Sequence, residues 1–280
     1  MKADDFSTTV TPNWCPGCGN FGLFAALREA LARLNLPAEK IVFTYGIGCH
    51  GKMIDFMNVN GFDGLHGRPV PVAEGIKLGN HELKVVAMSG DGDAYGEGLS
   101  HMLNAARGNH NMTYFVHDNQ IYGLTTGQAS PTTVKGTKTK STPEGLIDEP
   151  INPIALAISA GATFVARAYA GDIPFTTEIM LAALQHKGFA IVDIFQPCVS
   201  FNKVNTYDWF RQNLYKLENH NASDKMAALQ KAFETAKLPI GIFYNIDKPT
   251  YEEQVTELAA GPLAKQSLVV DRKKLLQEFL

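Results

Sequence analysis

The sequence predicts an α/β fold, a doubly wound parallel sheet followed by a helical C-terminal tail. Three observations point there. Five short segments are continuously apolar and rich in β-branched and aromatic residues, as strands buried on both faces are. Segments with helical spacing of apolar residues alternate with them, as crossover helices do. Of the 280 residues, 45% are apolar and 19% charged, enough for a sizeable core and too hydrophobic for disorder.

The elements follow in order. Residues 1–19 are irregular, with Pro12, Pro16, Gly17 and Gly19. Asn20 reads as the N-cap of a helix over FGLFAALREALARL, closed before Pro37. IVFTY (41–45) is a strand running into the glycine-rich turn GIGCHG. A loop with LHGR and a helix over PVAEGIKLGN precede a second strand, KVVAMSG (84–90). After DGDAYGEG come a helix through LSHMLNAAR and a third strand, MTYFVHDN (112–119). Residues 122–145 show no period and read as a loop, long enough to be functional. NPIALAISA (helix), TFVARAY (strand), FTTEIMLAALQHKG (helix) and FAIVDIFQPC (strand) complete the alternation. Beyond 200 the chain is more polar and helical, apart from the apolar IGIFYN. We therefore expect one α/β domain over 1–200, with 201–280 as an extension packing on it or on a partner.

A net charge of −3 argues against a general nucleic-acid or anionic-membrane binder. No apolar run reaches the length of a membrane span, and the polar N-terminus carries no signal-peptide core, so a cytoplasmic protein is expected. In that compartment the four cysteines are not expected to form disulfides.

The most informative stretch is the strand end Gly90-Asp91-Gly92-Asp93. Ligands of open parallel sheets bind outside the carboxyl ends of strands, where glycine N–H groups and helix N-termini favour phosphate. Asp91 would repel a bare phosphate but suits a bridging Mg²⁺. By itself Gly-Asp-Gly is also a common turn. Asn119, however, ends the next strand, so a parallel pairing sets it beside Asp91, where its amide oxygen can reach the same cation. Ile121 could add a main-chain carbonyl.

Cys15 and Cys18 form a C-x-x-C pair, and Cys49 and Cys198 stand at the ends of strands. No strand precedes Cys15, against a thioredoxin-like pair. Four thiolates suit structural zinc or a [4Fe–4S] cluster equally on spacing, and buried free cysteines are a third reading.

The GDG segment, an intervening helix and strand, and a terminal Asn resemble the thiamine-diphosphate motif. Tyr122-Gly123-Leu124-Thr125-Thr126-Gly127-Gln128-Ala129-Ser130-Pro131-Thr132 is more specific. It resembles the β subunits of 2-oxoacid:ferredoxin oxidoreductases, and the likeness runs from about Trp14 to about Cys198. The resemblance implies a thiamine-diphosphate-binding fold and the following roles. Asp91, Asn119 and Ile121 ligate Mg²⁺; Gly90, Gly92 and Asp93 back the diphosphate; Ile47, Gly48, Cys49, His66, Gly123, Leu124 and Thr125 line the cofactor. Cys15, Cys18, Cys49 and Cys198 carry a [4Fe–4S] cluster. Lys52 takes the substrate carboxylate, and Leu124 packs beside the thiazolium and influences substrate size. His50 stands where many relatives have a small residue and is a candidate proton donor. Glu97 departs from the apolar residue expected in its turn.

Within that family the reaction is oxidative decarboxylation of a 2-oxoacid to acyl-CoA and CO₂, with coenzyme A as co-substrate. Electrons leave singly through the cluster to ferredoxin. The 2-oxoglutarate branch, giving succinyl-CoA, is favoured over pyruvate or a broader substrate range. No glutamate falls where the aminopyrimidine would need one, so the resemblance implies an α subunit that supplies it, a dimer of αβ heterodimers, and a chain inactive alone. Two rivals dispense with part of this set: a non-oxidative thiamine decarboxylase, and a non-catalytic subunit with a Cys₄ zinc site.

Overall fold

A computed structural model describes residues 1–280 apart from 268, 270, 278 and 280. Eight strands form one sheet: β1 (Ile41–Tyr45), β2 (Asn60–Asp63), β3 (Lys84–Gly90), β4 (Thr113–Asp118), β5 (Phe164–Tyr169), β6 (Ala190–Phe195), β7 (Leu214–Lys216) and β8 (Leu238–Asn245). Their spatial order is β2-β1-β3-β4-β6-β5-β8-β7. Every pairing is parallel except that of β5 with β8.

The helices cover both faces. α1 (Asn20–Leu34) and α5 (Ile173–Gln185) lie on one side, against Val86, Met88, Phe115, Ala166 and Val192. α2 (Pro69–Gly79), α3 (Leu99–Gly108), α4 (Pro153–Ala160) and α7 (Lys225–Ala232) lie on the other, against Val85, Ala87, Tyr114, Val116, Val165 and Ile191; α6 (Tyr207–Asn213) packs at the β5–β8 end. Successive strand residues thus enter opposite cores, which is why β3 to β6 read as largely apolar runs, broken in β5 and β6 by the paired Arg167 and Asp193.

Three local features differ from expectation. Asn20 is the first helical residue of α1, with Gly19 at the cap and no side-chain cap bond. Its side chain is turned inward, where Oδ1 lies 2.8 Å from His117 Nδ1 on β4. The helix closes at Asn35, which takes the left-handed conformation with φ 56° and bonds back to Leu31, two residues before Pro37. A π-helical turn over Gly92–Glu97 precedes α3 and inserts an extra residue, Gly98 N–H reaching back to Asp93 O at 3.0 Å.

The tail is not only helical. IGIFYN lies within β8, which pairs antiparallel with β5 and puts a fully buried Phe243 into the second core. β7 adds the outermost strand beside it. The sequence marked IGIFYN only as apolar, and apolar character alone does not tell a strand from a buried helical stretch.

Register fixes what meets at the sheet's carboxyl edge. Gly90 pairs with His117 and Asp118 with Phe195, so the chain continues past β3, β4 and β6 along one rim. β1 ends on that rim too, Tyr45 being opposite Met88.

Candidate active site

A cleft lies along this rim, with about 610 Å³ of space partly open to solvent. Ile47–His50 after β1, the start of the π-helical turn after β3 (Gly92 and Asp93), and Asn119 with Ile121–Thr125 after β4 form its walls. Ile47, Gly48, Cys49, His66, Gly90, Asp91, Gly92, Asp93, Asn119, Ile121, Gly123, Leu124 and Thr125 all line it, together with His50. His117, Tyr122 and Gln196 line it as well and were not singled out in the sequence. Gly92 is packed so closely that a Cβ there would lie 2.1 Å from Tyr122 Cε1. The wall therefore leaves bare backbone facing the cleft, a suitable cradle for a diphosphate.

Asp91 is 2% exposed, and no basic side chain pairs with it among the described residues. Burial pushes its carboxyl up to about 6, although the hydroxyls of Ser130 (2.5 Å) and Thr132 (2.8 Å) act in the opposite sense. A buried anion without a countercharge is costly and is relieved by a cation. Thr132 Oγ1 also lies 2.8 Å from Asp118 Oδ1. One hydroxyl carries one proton, so one of the two carboxyls must bring its own. Burial, then Asp193 and Asp91, push Asp118 well above the carboxylate range. Asn119 Oδ1 accepts the Ile121 N–H at 3.1 Å, bending the chain so that both residues face Asp91's side of the cleft.

Among the described residues, no three His, Cys, Asp or Glu side chains close around a single metal-ion position. The Asp91–Asn119–Ile121 set is of another kind: one carboxylate, one amide and one carbonyl lining the same cleft, oxygen donors of the sort Mg²⁺ takes.

Asp93 serves the walls rather than the cleft's open space. It accepts from Ser89 Oγ (2.5 Å), Gly67 N–H (2.6 Å) and Ile47 N–H (3.2 Å), and His66 Nδ1 lies 2.9 Å away. Burial opposes its charge, but His66, His50, Ser89 and Gly67 together hold it below the usual carboxylate range. His66 bridges Asp93 and Glu97 (Nε2 to Oε2, 3.0 Å), and hydrogen bonding to Asp93 raises its pKa. Glu97, unexpected in its turn, is thus accommodated by its contact with His66. His50 is 3% exposed, and burial lowers it to about 4, so it is neutral near pH 7.

The four cysteines are free thiols that line a neighbouring cavity with Trp14, Lys52 and Phe201. Trp14 Nε1 donates to Cys49 O at 2.7 Å, docking the N-terminal segment on the turn after β1. Burial pushes Cys18 up to about 11, and the other three thiols add to it. Four thiolates here would repel one another unless a cationic centre held them. All four line this one cavity. Lys52 belongs to this cavity and not to the cleft; its Nζ donates to Asn13 Oδ1 at 3.2 Å. Cys49, Asn119, Gly123, Leu124 and Gln196 line both spaces and form their common wall.

Residues 46–194 match the family model of the thiamine pyrophosphate enzyme C-terminal TPP-binding domain. Residues 198–260 match the family model of the C-terminal part of the pyruvate ferredoxin oxidoreductase β chain. The chain is 45% identical to 2-oxoacid:ferredoxin oxidoreductase 1, subunit beta, of Aeropyrum pernix, over 90% of this chain and 84% of that one. It is 34% identical to the 2-oxoglutarate synthase subunit KorB of Archaeoglobus fulgidus, over 91% and 93%. A solved 2-oxoglutarate:ferredoxin oxidoreductase from Magnetococcus marinus, with 2-oxoglutarate, coenzyme A and succinyl-CoA bound, superposes with a TM-score of 0.94. That match covers 99% of this chain and 96% of that one at 37% identity. A shared fold over nearly the whole length, with both family models in register, settles the kinship: the chain belongs to the β subunits of the 2-oxoacid:ferredoxin oxidoreductases.

Proposed function

We propose that this chain is the β subunit of a 2-oxoglutarate:ferredoxin oxidoreductase, converting 2-oxoglutarate and coenzyme A to succinyl-CoA and CO₂. The observation that carries the proposal is the common wall between a glycine-lined cleft and a four-thiol cavity. A decarboxylase alone needs no second cavity, and a zinc staple needs no cleft. When bound, thiamine diphosphate supplies the nucleophile and electron sink, and a [4Fe–4S] cluster supplies one-electron transfer.

The chain's residues divide the work. Asp91, Asn119 and the Ile121 carbonyl hold Mg²⁺ against the diphosphate, backed by Gly90 and Gly92. Ile47 and Leu124, both partly exposed, present apolar surface to the cofactor rings and substrate. Buried His50 and His117 form part of the cleft's wall. Cys15, Cys18, Cys49 and Cys198 hold the cluster. Lys52 offers a cation beside the common wall for a 2-oxoacid carboxylate. The α subunit supplies the glutamate this cleft lacks, and ferredoxin takes the electrons. The setting is the cytoplasm; no helix among the described residues is long and apolar enough to cross a membrane.

The test is anaerobic purification with the α subunit, followed by visible absorbance before and after adding 2-oxoglutarate or pyruvate, each with coenzyme A. Bleaching by 2-oxoglutarate is expected. Bleaching by pyruvate alone would reassign the substrate, and a colourless, iron-free protein would remove the redox reading.

A further inference from the structure

Gln196, the residue after β6, is 1% exposed and belongs to the common wall. Its carboxamide nitrogen donates to Cys18 Sγ at 3.3 Å and to Pro197 O at 3.0 Å. Its carbonyl accepts from Asn119 Nδ2 at 3.3 Å. Backbone groups fix the orientation of both amides. Pro197 O can only accept, so the Gln196 nitrogen must face it. Ile121 N–H can only donate to Asn119 Oδ1, so the Asn119 nitrogen must face Gln196. The side chain is also clamped: a Cβ on Gly19 would lie 2.9 Å from Gln196 Cγ, so the Cys18–Gly19 backbone presses directly on it.

We propose that Gln196 is a positioning residue joining the two sites, with its N–H group tuning the Cys18 corner of the cluster and its carbonyl aligning Asn119 toward Mg²⁺. This rests on the cluster reading above. Reduction adds a negative charge to a cluster, and an N–H dipole aimed at a ligand sulfur stabilises the more negative state. The Gln196–Cys18 bond therefore raises the cluster's reduction potential. The Asn119 arm acts independently, because outer partners orient metal ligands and their loss costs about 10- to 100-fold in metal affinity.

The experiment uses the αβ holoenzyme, reading the cluster potential by EPR-monitored titration and cofactor retention by Mg²⁺-dependent thiamine diphosphate binding. Gln196→Met removes both arms. A lower potential and at least about tenfold weaker retention are expected. Gln196→Glu keeps an acceptor for Asn119 while losing the donors, so the potential falls with retention nearly unchanged. A folded variant that keeps the cofactor but assembles no cluster also counts for the proposal. A wild-type potential in both variants overturns it, and so does loss of the fold itself, which would make Gln196 merely structural. An iron-free wild type would instead overturn the cluster reading.

Discussion

Asp91 and Cys198 stand on the same rim but serve separate spaces, and substitutions should separate them. Asp91→Ala is expected to abolish thiamine diphosphate retention while iron and acid-labile sulfide remain. Cys198→Ser is expected to do the reverse. Cofactor content and iron assay on the same preparations read both. Thr132→Val removes a hydroxyl shared by Asp91 and Asp118 without touching the cleft's lining, and should weaken Mg²⁺-dependent cofactor retention by about 10- to 100-fold. Asp91, Asn119, Cys49 and Cys198 drew notice in the sequence because each follows a strand, and Cys15 and Cys18 because they form a C-x-x-C pair. Ser130, Thr132, His117 and Gln196 did not. Their roles arise from contacts across 13 residues or more, and a Ser or Thr in a polar loop carries no local sign of being buried.

At the scale of elements, the π-helical turn after β3 is a tightly packed joint of the cleft. Gly92→Ala would drive a methyl group into the Tyr122 ring. Overpacking of this kind costs about 1–3 kcal/mol. We expect a melting temperature lower by a few degrees and loss of cofactor retention, with far-UV circular dichroism unchanged. A second joint lies at the opposite side of the fold. Glu252, on the short helix α8 (Tyr251–Gln254), accepts from Asn111 N–H at 3.0 Å and contacts His110 Nδ1 at 3.3 Å. Burial disfavours its charge, but the His110 contact and the backbone N–H groups outweigh this and hold it below the usual value of 4.5. Its contribution is therefore full at neutral pH and is lost as the pH falls below about 4.5 through the depressed value. Glu252→Gln should lower stability by about 1–3 kcal/mol at pH 7 and flatten the loss below pH 4.5, as read by thermal melts across that range. The inner strands were legible as apolar runs, and the helices between them by spacing. Asn20 was misplaced by one residue because a capping side chain and one turned into the sheet look alike in sequence.

Over the whole molecule, the doubly wound sheet was legible and its far side was not. β7 and β8 come from the polar tail, and nothing local to IGIFYN says that it will run antiparallel beside β5. Phe243 shows what that strand contributes: it is fully buried in the core with Val165 and Ile191. Phe243→Ala should cost about 3–5 kcal/mol, the range for a large core aromatic, and a chemical denaturation curve of the chain measures it. If β8 were a dispensable appendage, the midpoint would not move.

The late arrival of β8 also bears on the birth of the protein. β5 is made roughly 70 residues before β8, so during translation its outer edge stays unpaired. At about 5–20 residues per second the interval lasts roughly 3–14 s. Through that interval the nascent chain presents bare strand backbone, the usual template for joining a neighbouring chain. On a crowded polysome, chaperone demand should therefore peak between synthesis of residues 169 and 245 and fall once β8 has been made.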